Sequence, residues 1–497
     1  MTISFNTKKV VFSILTCIFC GVIFIINYFF TLRGVNNLEK TYIIWGVIGW
    51  GVLFWCIFSW YKIRDEVICL YTAQIVVFFL FNFGQSLVVV FDAVDQQGAL
   101  TNIFSYNTLV NAQIYTLLSV LAFHFGALLI CKKKPNLVLK NNNPRNCNQV
   151  SGDILLSAIR FTGIILLIVS MPAFFYNTLK TIETVAQGGY GALYNYGVGG
   201  VRGEVVSSAL GSRIIDFVSS YFVPALICLV IGDSKKKTQR NIYLGLMFIY
   251  MVEQFYIGGR SDAVKLLITI ICVFHYLIKK LDKKAVFKLI IFGYFFISLL
   301  SVIGNVRGLP NRSISLYLTE FIASFGKENL FLTTISELGG SMFPLCSLFS
   351  IMPALGFKYG STYLYALTTI IPNLGFWSIH PARLYANGSS WLMSVLNMTY
   401  GPGFSVTAEA YQNFGEIGFL FLVIIGIIFG KIYTMIDTDT AKIQPDKVAM
   451  TLIFFNATLT FVRNDFLSLI RSFFYIAIPV FLLIRIVYER KLKKLLK

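Results

Sequence analysis

Long apolar runs, separated by short breaks rich in charge, Gly or Pro, recur from one end of the chain to the other. They lack the strict alternation of a half-buried strand, and they are too continuous to be one-sided helical stripes. A run of about 18 apolar residues is long enough to cross the hydrocarbon core of a bilayer as a helix. The pattern predicts twelve such spans, at 10–32, 42–61, 67–91, 107–131, 154–175, 214–231, 242–257, 264–278, 285–303, 417–435, 448–462 and 466–488. The expected fold is an all-α polytopic membrane protein, since an outer-membrane barrel would alternate residue by residue.

Composition agrees with the pattern. The 497 residues are 56% hydrophobic and only 13% charged, which excludes a soluble domain. The net charge of +19 would suggest a nucleic-acid partner if it were spread over one face. It is instead clustered in short loops, as in Lys132-Lys133-Lys134, Lys235-Lys236-Lys237 and Lys279-Lys280. With both termini in the cytoplasm these clusters fall inside, as the positive-inside rule requires, so no nucleic acid is expected. Lys8 and Lys9 precede the first span and no small-residue cleavage site follows it, which reads as an uncleaved anchor.

Cysteine and histidine usage excludes more. Seven of the nine cysteines fall in predicted spans, Cys147 in an inner loop and Cys346 alone outside, so no external disulfide framework forms within the chain. Cys17 and Cys20 have metal-like spacing, but they sit in an apolar helix with no further ligands, and packing explains them. With His124, His275 and His380 the only histidines, no metal and no cofactor are expected.

Three regions follow: a membrane domain of nine spans at 1–303 with an outer loop at 176–213, a large outer loop at 304–416, and three further spans with a basic tail at 417–497. Loops this long are uncommon unless they carry function. Within the large loop the apolar segments from Phe343 and Thr362 are interrupted by Pro344, Pro353 and Pro372, and short helices in the outer leaflet are expected. If both crossed, the count would become fourteen and the C-terminus would stay inside. The stretch 360–418, rich in Gly, Pro and aromatic residues, is where function is expected to concentrate.

Outward-facing arginines are few, which makes Arg202, Arg213, Arg260, Arg307, Arg312, Arg383 and Arg463 informative. A guanidinium offers a fork suited to phosphate, and several converging would hold a pyrophosphate. Each also reads singly as a structural pair, Arg260 with Asp262 or Arg463 with Asp465. Glu409 follows the chain-breaking Gly401, Pro402 and Gly403 and is expected at the membrane boundary as a general base, with helix capping the alternative. His380, between Trp377 and Pro381, is the other acid–base candidate, or else packs at the interface. Glu253, inside the seventh predicted span, demands a partner or a polar cavity, and Arg160 and Arg471 raise the same expectation.

The run GSTYLYALTTIIPNLGFWSIHP, followed by GPGFSVTAEAYQNFGEIG, resembles the signature region of bacterial Wzy-type O-antigen and capsule polymerases, also called oligosaccharide repeat-unit polymerases. The turn GGRSD resembles the arginine turn upstream in the same family, and the expected architecture covers most of the chain. The resemblance implies a GT-C-like membrane glycosyltransferase that needs no nucleotide sugar and no obligatory metal. Its substrates would be undecaprenyl-pyrophosphate-linked oligosaccharides at the outer face of the bacterial cytoplasmic membrane. Its partners would be the bilayer and the chain-length regulator and flippase of the same pathway. On that reading Arg202, Arg213, Arg260, Arg307, Arg383 and Arg463 hold pyrophosphate, Glu409 or His380 activates the acceptor hydroxyl, and Tyr385, Trp391 and Tyr411 stack on sugars. An O-antigen ligase shares this architecture and donor. A lipid-linked oligosaccharide flippase should show two similar halves, which this lopsided chain lacks.

Overall fold

The computed structural model describes residues 7–32, 37–93, 98–131, 145–189, 210–306, 309, 313–324, 329–373, 376–399, 401–438, 441 and 443–495. Among them the regular structure is helical throughout. In chain order the helices are α1 Thr7–Leu32, α2 Leu38–Arg64, α3 Leu70–Val88, α4 Tyr106–Ile130, α5 Arg145–Gly188, α6 Leu210–Ser219, α7 Phe222–Gly232, α8 Lys237–Ile257, α9 Arg260–Val273 and α10 Lys283–Val306. They continue with α11 Ile314–Ser324, α12 Leu330–Gly339, α13 Phe343–Leu355, α14 Ser361–Leu367, α15 Pro381–Tyr385, α16 Gly388–Val395, α17 Val406–Phe414, α18 Phe421–Tyr433, α19 Pro445–Thr458, α20 Phe466–Ser472 and α21 Ile478–Leu495.

Ten helical stretches of the described chain are long and apolar enough to cross a membrane, so the protein is an all-α polytopic membrane protein. The predicted spans at 242–257, 285–303 and 448–462 are helical as well, as α8, α10 and α19. Two segments refine the expected pattern. Residues 304–416 carry the short helices α11 to α17, and Leu330–Leu355 is itself a span-length apolar stretch. Pro344 does not break it because it stands in the first turn of α13, where its missing N–H has no helical partner to lose. Cys346, expected outside, is accordingly buried in α13. The second refinement is Val406–Tyr433, which begins well before the predicted span at 417, so Glu409 lies within a span-length stretch.

The core forms around α3 and α4, most of whose side chains are buried, while α1 lies at the periphery. Small residues let backbones touch there. A Cβ on Gly426 of α18 would lie 2.0 Å from the Phe123 carbonyl oxygen, and one on Gly126 of α4 would lie 2.1 Å from that of Val423. Only glycine permits this approach. In the same way Gly339 of α12 meets the backbone of α3 at Gly84 and Gln85. Helix starts are capped by the expected residue types: Ser105 on α4, Ser405 on α17 and Asp465 on α20 each accept from a backbone N–H two or three residues inside.

Candidate functional site

Polar side chains recur at helical spacing on two otherwise apolar helices, and the fold turns those faces toward one another. On α5 they are Asn177, Thr178 and Thr181, and on α8 Glu253 and Gln254, three and four residues beyond Tyr250. Together with α6, α7, α9, α19 and α20 they line a half-open cavity of about 500 Å³. That is within the range of about 300–1,000 Å³ usual for small-molecule sites. Asp216 of α6, Asp262 and Lys265 of α9, and Asn456 of α19 add to its lining, and Phe174, Phe222 and Tyr250 form an aromatic wall. Phe174 and Phe222 stack with ring centroids 3.8 Å apart. The polar cavity expected around Glu253 is therefore present.

The polar groups are partly engaged. Asn177 donates to Asp216 at 2.9 Å, Lys265 pairs with Asp262 at 2.7 Å, and Asn456 donates to Thr269 at 3.0 Å. Thr178 lies beside the Glu253 carboxylate, whose Oε1 is enclosed without a hydrogen-bond partner among the described residues. Three carboxylates against one ammonium make the described lining acidic. A carboxylate with one oxygen unsatisfied can accept a proton or a hydrogen bond from whatever fills the cavity.

The GGRSD turn forms one edge of this cavity and sends its arginine the other way. Asp262 and Lys265 point into the cavity, while Arg260 pairs with Glu337 of α12 at 2.5 Å and donates to the Leu300 carbonyl. Gly304 makes room for that guanidinium, since a Cβ there would lie 2.7 Å from Nη1. Arg463 donates to Ser261 at 3.2 Å and its guanidinium sits 5.1 Å from the Phe81 ring centroid. Both local pairings expected from sequence are thus replaced: Asp262 binds Lys265, and Asp465 caps α20.

The predicted arginines whose contacts are described occupy two regions. Arg463 reaches the GGRSD turn at Ser261, next in sequence to Arg260, whereas Arg383 lies beside Arg471, whose Nε reaches Thr369 at 3.5 Å. Arg202, Arg307 and Arg312 lie outside the described residues, and of Arg213 only its place in α6 is described.

Glu409 is shut off from solvent. It is 1% exposed; Oε1 accepts from the Thr362 hydroxyl at 2.7 Å and Oε2 from the Phe466 N–H at 2.6 Å. Asn413 completes the group, donating to Thr362 and to the Glu409 carbonyl, each at 2.8 Å. Asp465 joins α16 to α20 by accepting from Gly388 N and Ser468 N, each at 3.1 Å. Burial raises the Asp465 carboxyl above the usual range, against the opposing pull of those hydrogen bonds. The carboxylate expected to activate an acceptor thus holds helix ends together, as a desolvated carboxylate with both oxygens satisfied does.

His380 is also engaged at both nitrogens. Nδ1 accepts from Ala382 N at 3.1 Å, which leaves the proton on Nε2, 3.0 Å from the Ile371 carbonyl it must donate to. To act as a base it would first have to give up these bonds. Tyr411 is 5% exposed, with Phe349 at 4.2 Å and Tyr115 at 5.4 Å between ring centroids, so no face remains for a sugar. Tyr385 is exposed beside Tyr365, and Trp391 is half-buried beneath Lys358, so these two keep free surface.

The fold and the cavity define a polytopic membrane protein with a polar, acidic chamber among its helices. The family model of the O-antigen polysaccharide polymerase Wzy matches residues 9–494, nearly the whole chain, and the protein belongs to that family. Its role is polymerisation of polysaccharide in a membrane. Neither the curated proteins nor the solved structures contain a match to it.

Proposed function

We propose that the protein polymerises undecaprenyl-pyrophosphate-linked repeat units at the outer face of the bacterial cytoplasmic membrane, and that the acidic cavity receives the acceptor sugar. The observation that carries this reading is the Glu253 carboxylate oxygen, enclosed and unsatisfied in a chamber of sugar-binding size within a chain of the polymerase family. Basic clusters in the short loops favour the stated orientation.

In the proposed step an acceptor hydroxyl attacks the anomeric carbon of the growing chain. Its proton passes to Glu253, the new glycosidic C–O bond forms, and the bond to pyrophosphate breaks. Undecaprenyl pyrophosphate leaves with the bonding electron pair. An acidic chamber is unfavourable for pyrophosphate, so the donor is assigned to the arginine side of the GGRSD turn, at Arg463 and at Arg260, which would exchange Glu337 for the phosphate. Arg202, Arg213, Arg307 and Arg383 are further candidates for that charge. Tyr250 and Phe222 offer ring surface to the acceptor, with Trp391 and Tyr385 serving the chain outside the cavity.

The test is analysis of lipid-linked glycans in a strain that lacks the protein and is complemented with wild type or Glu253→Gln. The reading requires single repeat units on lipid without the protein, polymer with wild type and single units again with the variant at normal protein abundance. Full-length polymer accumulating unattached without the protein would indicate a ligase instead.

A further inference from the structure

The charge of the cavity carries a statement about substrate. We propose that it selects, at the non-reducing end of the incoming repeat unit, a sugar that carries no carboxylate: a neutral or an amine-bearing residue. This rests on the reading that the cavity holds the acceptor.

Lys265 is matched within the cavity by Asp262 at 2.7 Å. Asp216 and Glu253 remain, and no other lysine or arginine among the described residues lines the chamber. Asp216 is supported by a neutral amide, Asn177, and Glu253 lies beside a neutral hydroxyl, Thr178, so neither has a cationic partner there. Gln254 is 5% exposed and lines the same space, and none of the described residues hydrogen-bonds its amide. The free amide and the unsatisfied Glu253 oxygen together ask for a ligand that both donates and accepts. A sugar hydroxyl does both and a protonated amine donates, whereas a sugar carboxylate accepts only and brings like charge against Asp216 and Glu253. A like charge brought against the half-buried Glu253 is disfavoured, and the exposed Asp216 adds a weaker, solvent-screened repulsion, so the lining filters as well as binds.

The experiment takes the repeat unit that accumulates on undecaprenyl pyrophosphate in a strain lacking the protein. Two analogues differ from it only at the non-reducing terminal sugar, so that the three carry a neutral hexose, its 2-amino-2-deoxy form or the corresponding uronate. Extension is measured with the full-length protein in lipid nanodiscs. The uronate unit is expected to be extended with a kcat/KM about tenfold or more below the other two, and Asp216→Asn is expected to shrink that ratio severalfold. Equal extension of all three units, an unchanged ratio in the variant, or a natural unit that ends in a sugar acid overturns the proposal while leaving the polymerase reading intact. Failure to extend any of the three removes the polymerase reading, and this inference with it.

Discussion

Oε2 of Glu409 accepts the backbone N–H of Phe466 across 2.6 Å, so a carboxylate of α17 holds the first turn of α20. The other oxygen is held by Thr362, and neither faces open space. Glu409→Gln places an amide N–H where only donors point. The expected cost is about 1–3 kcal/mol of stability, the penalty of leaving a buried polar group unsatisfied. A lowered melting temperature with polymer yield per folded molecule retained is the anticipated result. A catalytic role would instead abolish polymer at unchanged stability.

Glu253→Gln is expected to behave the opposite way. The amide keeps the shape of the side chain and loses the proton acceptor, so polymer formation should fall by about 10²–10⁴, the usual contribution of a positioned general base. Thermal stability should change little, because Oε1 has no partner to lose among the described residues. Comparison of initial rates and melting curves for the two variants separates the roles.

Arg260 and Glu337 are each largely shielded, with 19% and 23% of their side chains exposed. A double-mutant cycle with Arg260→Gln and Glu337→Gln should return a coupling of roughly 0.5–3 kcal/mol. Arg260→Lys keeps the charge but loses the guanidinium Nη1 that donates to both Glu337 and the Leu300 carbonyl, and should recover only part of the stability. Gly304→Ala should mimic the loss by displacing the guanidinium. Equilibrium unfolding in detergent measures all four.

Gly426→Ala adds a methyl where the Phe123 carbonyl stands 2.0 Å away. Overpacking of this kind costs about 1–3 kcal/mol, and here the backbone itself must move. Reduced abundance in the membrane with unaltered chain-length distribution of the residual polymer is the expected outcome.

The class of protein was legible in the sequence because apolar run length reports bilayer crossing directly, and Glu253 announced its cavity because an intramembrane carboxylate needs one. Glu409 and His380 hold bonds that their residue types and flanking breaks also describe, because a helix end employs carboxylates and imidazoles as caps as readily as a reaction does. Tyr411 packs against Phe349 and Tyr115. The cavity itself was not read, since Asn177, Thr178 and Thr181 are three small polar residues that gain meaning only when α8 and α9 supply the opposite wall. Their spacing on one face of α5 was the available signal. The partners of Arg260 and Arg463 were missed because Glu337 and Ser261 are distant in sequence, and nearby carboxylates drew the pairing instead.

The glycine seam between α4 and α18 has a consequence for biosynthesis. The fourth helix enters the membrane early, yet the surface it docks against is synthesised only when the ribosome has nearly finished. Until then its docking face around Gly126 must be shielded by lipid, by the insertion machinery or by a provisional neighbour. A chain truncated before Phe421 would leave that seam open, and such a truncate is expected to be a preferred target of membrane quality-control proteases.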